Sequence, residues 1–174
     1  MVKLKGKKLT TNSLLTSLVY PKKIIHSDAI LYKFIHFNTI DRVSLKPQAG
    51  NFKDEELSCD WNKYSTPEKT RDLIGQQFIH GTQTLKNKNH YFICRLEVGQ
   101  LLNLDPKQIF KHDPVFHFPQ KKGHPNNRSH SLIIGKKDAK GILKARGQIS
   151  MNCKWVIFDE KIFKELIAQP LPII

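Results

Sequence analysis

Two nine-residue runs, AILYKFIHF at Ala29–Phe37 and HYFICRLEV at His90–Val98, restrict the folds open to this chain. Both are rich in β-branched and aromatic residues, which suit a pleated surface packed on one side. In the first, Tyr32, Phe34 and His36 alternate with Leu31, Lys33 and Ile35, so it reads as a strand, with a buried helix as the alternative. The second comes after the turn signal Asn87-Lys88-Asn89 and reads as a strand outright. Shorter strands are expected at Glu56–Trp61, Ser129–Gly135 and Asn152–Phe158. No apolar run approaches the roughly 20 residues that a membrane-spanning helix needs.

Helical signals lie between these runs. Thr11 or Asn12 can cap a short helix over Ser13–Val19, which Pro21 ends. In STPEKTRDLIGQQF, Ser65 or Thr66 is placed as the cap and Pro67 falls in the first turn. Glu68 stands three residues after Ser65, as in a capping box, and Leu73, Ile74 and Phe78 are expected to face a core. DPKQIF at 105–110 reads as a single helical turn. Asp138 is placed to cap a helix over Ala139–Arg146, and Asp159–Ala168 is a final amphipathic helix with Ile162, Phe163, Leu166 and Ile167 inward. Leu45–Phe52, with Pro47 and Gly50, is a loop. Strands and helices without regular βαβ alternation indicate an α+β fold, a single mixed or antiparallel sheet with helices packed on one side.

A chain of 174 residues fits one domain, and 39% hydrophobic residues supply a core. Residues 1–10 read as a mobile basic arm and 11–174 as the domain. The opening MVKLKGKKLTTNSLLTSLVYP is broken by polar residues and has no small-residue cleavage site, which leads to a cytoplasmic expectation. Cys59, Cys94 and Cys153 are odd in number and widely spaced. They argue against a disulfide framework or a cysteine-based zinc site and for small buried hydrophobes.

The net charge of +14 is unevenly placed. Residues 1–27 carry six lysines and no acid. Residues 114–154 carry Lys121, Lys122, Arg128, Lys136, Lys137, Lys140, Lys144, Arg146 and Lys154 against Asp138 alone, while acids gather at Asp54, Glu55, Glu56 and Asp60 and near Asp159. A segregated cationic face suits a polyanion, since Lys and Arg contacts to phosphates supply most non-specific nucleic-acid affinity. The expected partner is therefore RNA or DNA, with no membrane. The binding residues are Lys121, Lys122, Lys136, Lys137, Lys140, Lys144 and Arg146, and Tyr91, Phe116, Phe118 and Trp155 are available for base stacking.

Chemistry points to the segment Lys111–Arg128 and the first residues of the strand after it, where His112, His117, His124 and His130 fall within nineteen residues. Their spacing matches no zinc signature, so no metal and no cofactor are expected. No glycine-rich phosphate loop of Walker or dinucleotide type occurs either. In HPNNRSHS at 124–131, Arg128 can hold a phosphate bidentately while His130 moves a proton and His124 assists. The alternative to pure binding is thus an enzyme on a phosphate-containing substrate, a small toxin or defence nuclease or phosphodiesterase, with His130, His124 and Arg128 as catalytic residues.

HPNNRSHS superficially resembles HNH nucleases and Fic enzymes, but lacks the Asp-His pair of the first and the HPFxxGN string of the second, which excludes both. Two-histidine phosphoesterases carry paired His-x-Ser/Thr motifs: His80-Gly81-Thr82 fits one, whereas His130-Ser131-Leu132 ends in leucine. The strand at Leu31–Phe37, the strand around Leu57-Ser58-Cys59 and Glu97 resemble in outline an ADP-ribosyltransferase, with Lys33 where an arginine is wanted. LYKF (31–34), LSCDW (57–61), HDPVF (112–116) and SHSLIIGKK (129–137) together resemble small uncharacterised bacterial proteins. These carry LYR, then F before a short SV strand, then DP and a HALVVGK-like strand. That resemblance spans Leu31 to Trp155. It implies a one-domain bacterial origin and groups His130, Gly135 and Lys136 as a unit.

Overall fold

A computed structural model describes residues 16, 18–136 and 145–168. Its centre is one six-stranded antiparallel sheet built from β1 (Ile30–His36), β2 (Glu56–Trp61), β3 (Tyr91–Glu97), β4 (Ile109–His112), β5 (His130–Ile134) and β6 (Lys154–Ile157), in the order β4-β5-β2-β1-β3-β6. Helices described with it include α1 (Pro67–Ile74), the single turn α2 (Val98–Leu101), α3 (Ala145–Asn152) and α4 (Glu160–Ala168). The fold is α+β, with the antiparallel sheet expected from the sequence, and no described helix is long and apolar enough to cross a membrane.

The two-residue period of a strand divides its side chains between the faces of the sheet. Leu31 and Ile35 of β1, Leu57 and Cys59 of β2, Phe92, Cys94 and Leu96 of β3 and Ile133 of β5 join the main core with Phe52, Ile149 and Phe163. Phe163 is 1% exposed, and burial of a ring of this size is worth about 1.5–3 kcal/mol. Helices α3 and α4 supply Ile149 and Phe163 to this face. On the opposite face stand Tyr32, Phe34, Ser58, Asp60, Ile93, His130 and Leu132, with α1 placed over part of it through buried Thr70 and Ile74. Helix α1 thus lies across the sheet from α3 and α4, so helices stand on both faces and not on one side as expected, because both faces carry apolar residues to cover.

The α1 start agrees with its sequence. Thr66 is the cap and accepts from the Lys69 N–H (3.3 Å), and Pro67 opens the first turn. Glu68 has its pKa held down by hydrogen bonds from its own backbone N–H and from Thr66. The helix stops at Gly75, so Phe78 lies past its end and forms an isolated bridge with Leu85.

The turn of helix expected at DPKQIF is not formed. A cis peptide joins Asp105 to Pro106, and from Ile109 the chain runs as β4 because a ladder partner is available: Ile109 pairs with Ile134 and His112 with Ser131. The start of the helix expected at Ala139–Arg146 lies outside the described residues. The described part, α3, runs on to Asn152 and buries Ala145 and Ile149. Of the first expected helix, Thr16, Leu18 and Val19 are described and helical, and the basic arm at 1–10 lies outside the described residues.

Strands β1 and β2 pair only over Leu31↔Trp61 and Tyr32↔Asp60. Beyond that point they part, and Phe34 and Ser58 line a recess of about 150 Å³ instead of facing each other across a ladder. This recess borders the candidate site.

Candidate functional site

Three segments meet above the His130 end of β5. The sheet supplies His130, directly across from Asp60. The chain between β4 and β5 folds back on itself through bridges Val115↔Asn127 and Lys121↔His124, which bring His117 and His124 over the strand. The segment after α1, Gln77–Thr82, forms the facing wall. Between them lies an open cleft of about 520 Å³ lined by His80, His117, His124, His130 and Lys86, with Asn127 in its floor. No carboxylate is among its lining side chains.

Close backbone packing holds the two walls together. The Phe78 N–H donates to the Gly123 carbonyl (3.3 Å), and Gly123 has φ +75°. A Cβ there would stand 2.0–2.4 Å from Phe78 ring atoms, so no side chain larger than hydrogen fits this backbone. The Phe78 ring meets His124 edge-on (6.3 Å between centroids), and His124 meets His117 (5.7 Å). His117 is held towards its neutral form first by burial, then by the charges of His124 and Lys121. Lys86 donates to Gln77 Oε1 (2.9 Å), and its pKa is lowered by burial and then by Lys33. Both ammonium groups lie against the Phe34 ring, at 4.7 Å for Lys33 and 5.4 Å for Lys86.

His130 is fixed at both nitrogens. Nδ1 lies 2.7 Å from the Asp113 carbonyl oxygen, which can only accept, so Nδ1 carries the proton. In the neutral ring Nε2 is then an acceptor, and Ser58 Oγ stands 3.3 Å from it. Ser58 lines the recess where β1 and β2 part, and His130 lines both recess and cleft. Asp60 lies beneath, accepting from Asn127 Nδ2 (2.7 Å) and Ser129 Oγ (3.2 Å), while Asn127 Oδ1 accepts from the Ser129 N–H (2.9 Å) and hydroxyl (2.6 Å). These bonds bind the loop's end to the sheet.

The residues singled out in the sequence part company here. His124 and His130 share the cleft, and so do His80 and Thr82 of the His-x-Thr motif. Arg128 does not join them: its guanidinium stacks 4.5 Å above the Tyr64 ring and lines a separate depression with Tyr20 and Lys69. His112 is buried. It stacks on Tyr64 (5.1 Å), accepts from the Lys23 N–H at Nδ1 (3.1 Å) and donates from Nε2 to the Arg128 carbonyl (2.7 Å). Burial is the main cause of its lowered pKa.

The cationic residues are divided as well. Lys121 and Lys122 line a depression that shares Gly123 and Pro125 with the cleft. Lys136 lies beyond the other end of β5 from His130, past Gly135, and its carbonyl accepts from Gln108 Nε2 (3.0 Å). His130, Gly135 and Lys136 therefore do not form one cluster. Arg146 belongs to α3, on the main-core side of the sheet. Lys137, Lys140 and Lys144 lie outside the described residues. Of the four rings offered for stacking, Phe118 alone stands mostly in solvent (66% exposed), beside Phe116. Trp155 is tied to the Leu45 carbonyl and stacked on Phe158, and Tyr91 packs against Phe34 and His36.

Glu97 pairs with Lys154 and Arg95 (3.0 Å each) at the end of β3 and lines neither cleft nor recess. The three cysteines are buried, with Cys94 and Cys153 sulfurs 3.3 Å apart. Among the described residues no group of three or more His, Cys, Asp or Glu is arranged to hold a metal ion.

Sequence reading missed Ser58 as a partner of His130. The His-x-Ser/Thr pattern looks along the chain to position 132, a leucine, and the intervening Ser131 is buried and donates to the Ser129 carbonyl (3.0 Å). The hydroxyl at His130 comes instead from the neighbouring strand. No protein-family model matches the chain, and no curated protein or solved structure is significantly similar to it.

Proposed function

We propose that this chain binds nucleic acid, seating backbone phosphates in the cleft between Gln77–Thr82 and the His117–His130 segment. The observation that carries this reading is the lining itself: four imidazoles and the Lys86 ammonium, with no carboxylate. Such a wall offers an anion the Lys86 ammonium and imidazole N–H donors, and sets no carboxylate against its oxygens. Lys121 and Lys122 extend the positive charge along one rim. Exposed Phe118, next in sequence to His117, offers a flat face to an unpaired base. The charge of +14 supplies long-range attraction to a polyanion.

The test is the affinity for a fluorescent 20-mer, as RNA and as DNA, at two salt concentrations. Three or four phosphate contacts give a log–log salt slope of about −2 to −4. Charge reversal at Lys121 and Lys122 together should weaken binding at least tenfold and flatten that slope by about 1–2, the domain staying folded. Absence of binding at low salt, or binding indifferent to salt, removes the reading. If reversal at Lys137, Lys140 and Lys144 abolishes binding and reversal at Lys121 and Lys122 leaves it unchanged, the cleft is not where the polymer sits.

A further inference from the structure

We propose that Ser58 is a catalytic nucleophile, activated by His130, and that the bond it attacks is a phosphodiester of the polymer held in the cleft. The proposal rests on the nucleic-acid reading and adds a reaction to it. The carrying geometry is a chain of three groups from three strands or their ends: the Asp113 carbonyl after β4, the His130 imidazole on β5 and the Ser58 hydroxyl on β2. The 2.7 Å contact at Nδ1 sets the tautomer, so the neutral ring presents a lone pair at Nε2 to the hydroxyl 3.3 Å away. That is the order required of a nucleophile, a base and a group orienting the base.

Ser58 is not a core hydroxyl satisfied by the backbone. It is partly exposed and lines the 150 Å³ recess with Phe34 and Thr70, and that recess shares Gln77, Asn127 and His130 with the cleft. A phosphodiester entering from the cleft passes Lys86 and the imidazoles before reaching the recess mouth, where His130 stands on the boundary. The Lys86 ammonium places positive charge by the non-bridging oxygens, and imidazole N–H groups of the cleft wall can donate to them, as phosphoryl transfer requires.

In the first step the Ser58 Oγ–P bond forms while the hydroxyl proton passes to His130 Nε2. The P–O bond to one nucleoside breaks, and the proton on Nε2 goes to the departing oxygen. In the second, water loses a proton to Nε2 and attacks phosphorus. The Oγ–P bond breaks, the proton returns to Oγ, and the products are free serine and a phosphate monoester. Neither step consumes an electron donor, an acceptor or a co-substrate besides water.

The test uses the full chain and a fluorophosphonate, a reagent that phosphonylates activated serines, read by intact mass and peptide mapping. One adduct is expected, on Ser58, absent from Ser58→Ala. His130→Asn keeps a side-chain donor near the Asp113 carbonyl but has no base, and labelling should slow at least about 100-fold. Cleavage of the fluorescent 20-mer should fall in parallel in both variants, and Ser58→Ala, which leaves the cleft lining intact, should retain binding. Equal labelling of wild type and His130→Asn, or no adduct on folded wild type, overturns the proposal. If the oligonucleotide binds but is neither cut nor replaced by a Ser58 adduct, the nucleophile is refuted and the binding reading stands. If Ser58 is labelled and no oligonucleotide binds, the binding reading falls and takes the phosphodiester assignment with it.

Discussion

Asp113 and His130 are joined twice. The Asp113 N–H donates to the His130 carbonyl (2.9 Å), and His130 Nδ1 donates to the Asp113 carbonyl (2.7 Å). The first bond extends the β4–β5 pairing by one residue past His112↔Ser131. The second makes the same backbone unit hold the imidazole ring. The Asp113 carboxylate is turned to other work, pairing with Lys22 (3.1 Å) and Lys111 (3.4 Å), and its pKa is lowered by those lysines in spite of burial.

Asp113→Ala should therefore leave the His130 ring in place, because the contact is made by the main chain. The lost ion pairs are partly solvated and worth at most about 1 kcal/mol together. Urea unfolding should show a change within that limit, and fluorophosphonate labelling should keep its wild-type rate. A large loss of labelling with the fold intact would mean that the carboxylate itself serves His130.

Gly123→Ala should be costly out of proportion to one methyl group. The backbone there has φ +75°, and the new Cβ falls inside the Phe78 ring at 2.0–2.4 Å. Strain and overlap together should lower stability by about 2–4 kcal/mol in denaturant unfolding. Combining it with Phe78→Ala should recover part of that loss relative to the sum of the single variants; strict additivity would show that the ring is not the obstacle.

Folding stability should fall as the solution is acidified below about pH 6.5, the ordinary histidine value. His36, His112 and His117 all have lowered pKa values in the folded protein, each with burial as the first cause. The unfolded chain thus binds more protons than the folded one in this range, and stability rises with pH until the unfolded-state histidines are neutral. His112→Gln should lower stability at pH 7.5 and reduce the slope between pH 5 and 7. An unchanged slope would show that His112 is not held neutral by the fold.

Asn127→Asp should introduce the opposite dependence. Asn127 Nδ2 is 2.7 Å from Asp60 Oδ1, so the variant sets two carboxyl groups in one place. One of the pair must then stay protonated in the folded state, with a pKa raised above the ordinary range. The destabilisation should grow as pH rises through that value, and Tm measured relative to wild type should be least affected near pH 4. A constant Tm difference from pH 4 to 7 would count against direct contact between the two side chains.

Five of the six strands were legible because burial imposes a two-residue period that survives in the sequence, and the structure turns Leu31 and Ile35, Leu57 and Cys59, Phe92 and Cys94 inward. Thr66-Pro67 marked a helix start by local chemistry alone. Local signals failed where a distant partner decided the outcome. DPKQIF has turn and helix chemistry, yet Ile109–His112 became a strand because β5 offered it a ladder. Phe78 fits a helical period and instead packs over Gly123, 45 positions on.

What the sequence determined by itself was the menu of elements, the charge of +14 and the supply of imidazoles, because composition and short-range periodicity do not depend on how the chain returns upon itself. Tertiary structure alone decided which polar groups meet. Strand register set Ser58 beside His130 and buried Ser131, the loop's return carried His117 and His124 over the sheet, and Arg128 was drawn to Tyr64. Each of these outcomes depends on pairing between residues far apart in the chain, and a hydroxyl 72 residues from its imidazole leaves no spacing for a sequence to display.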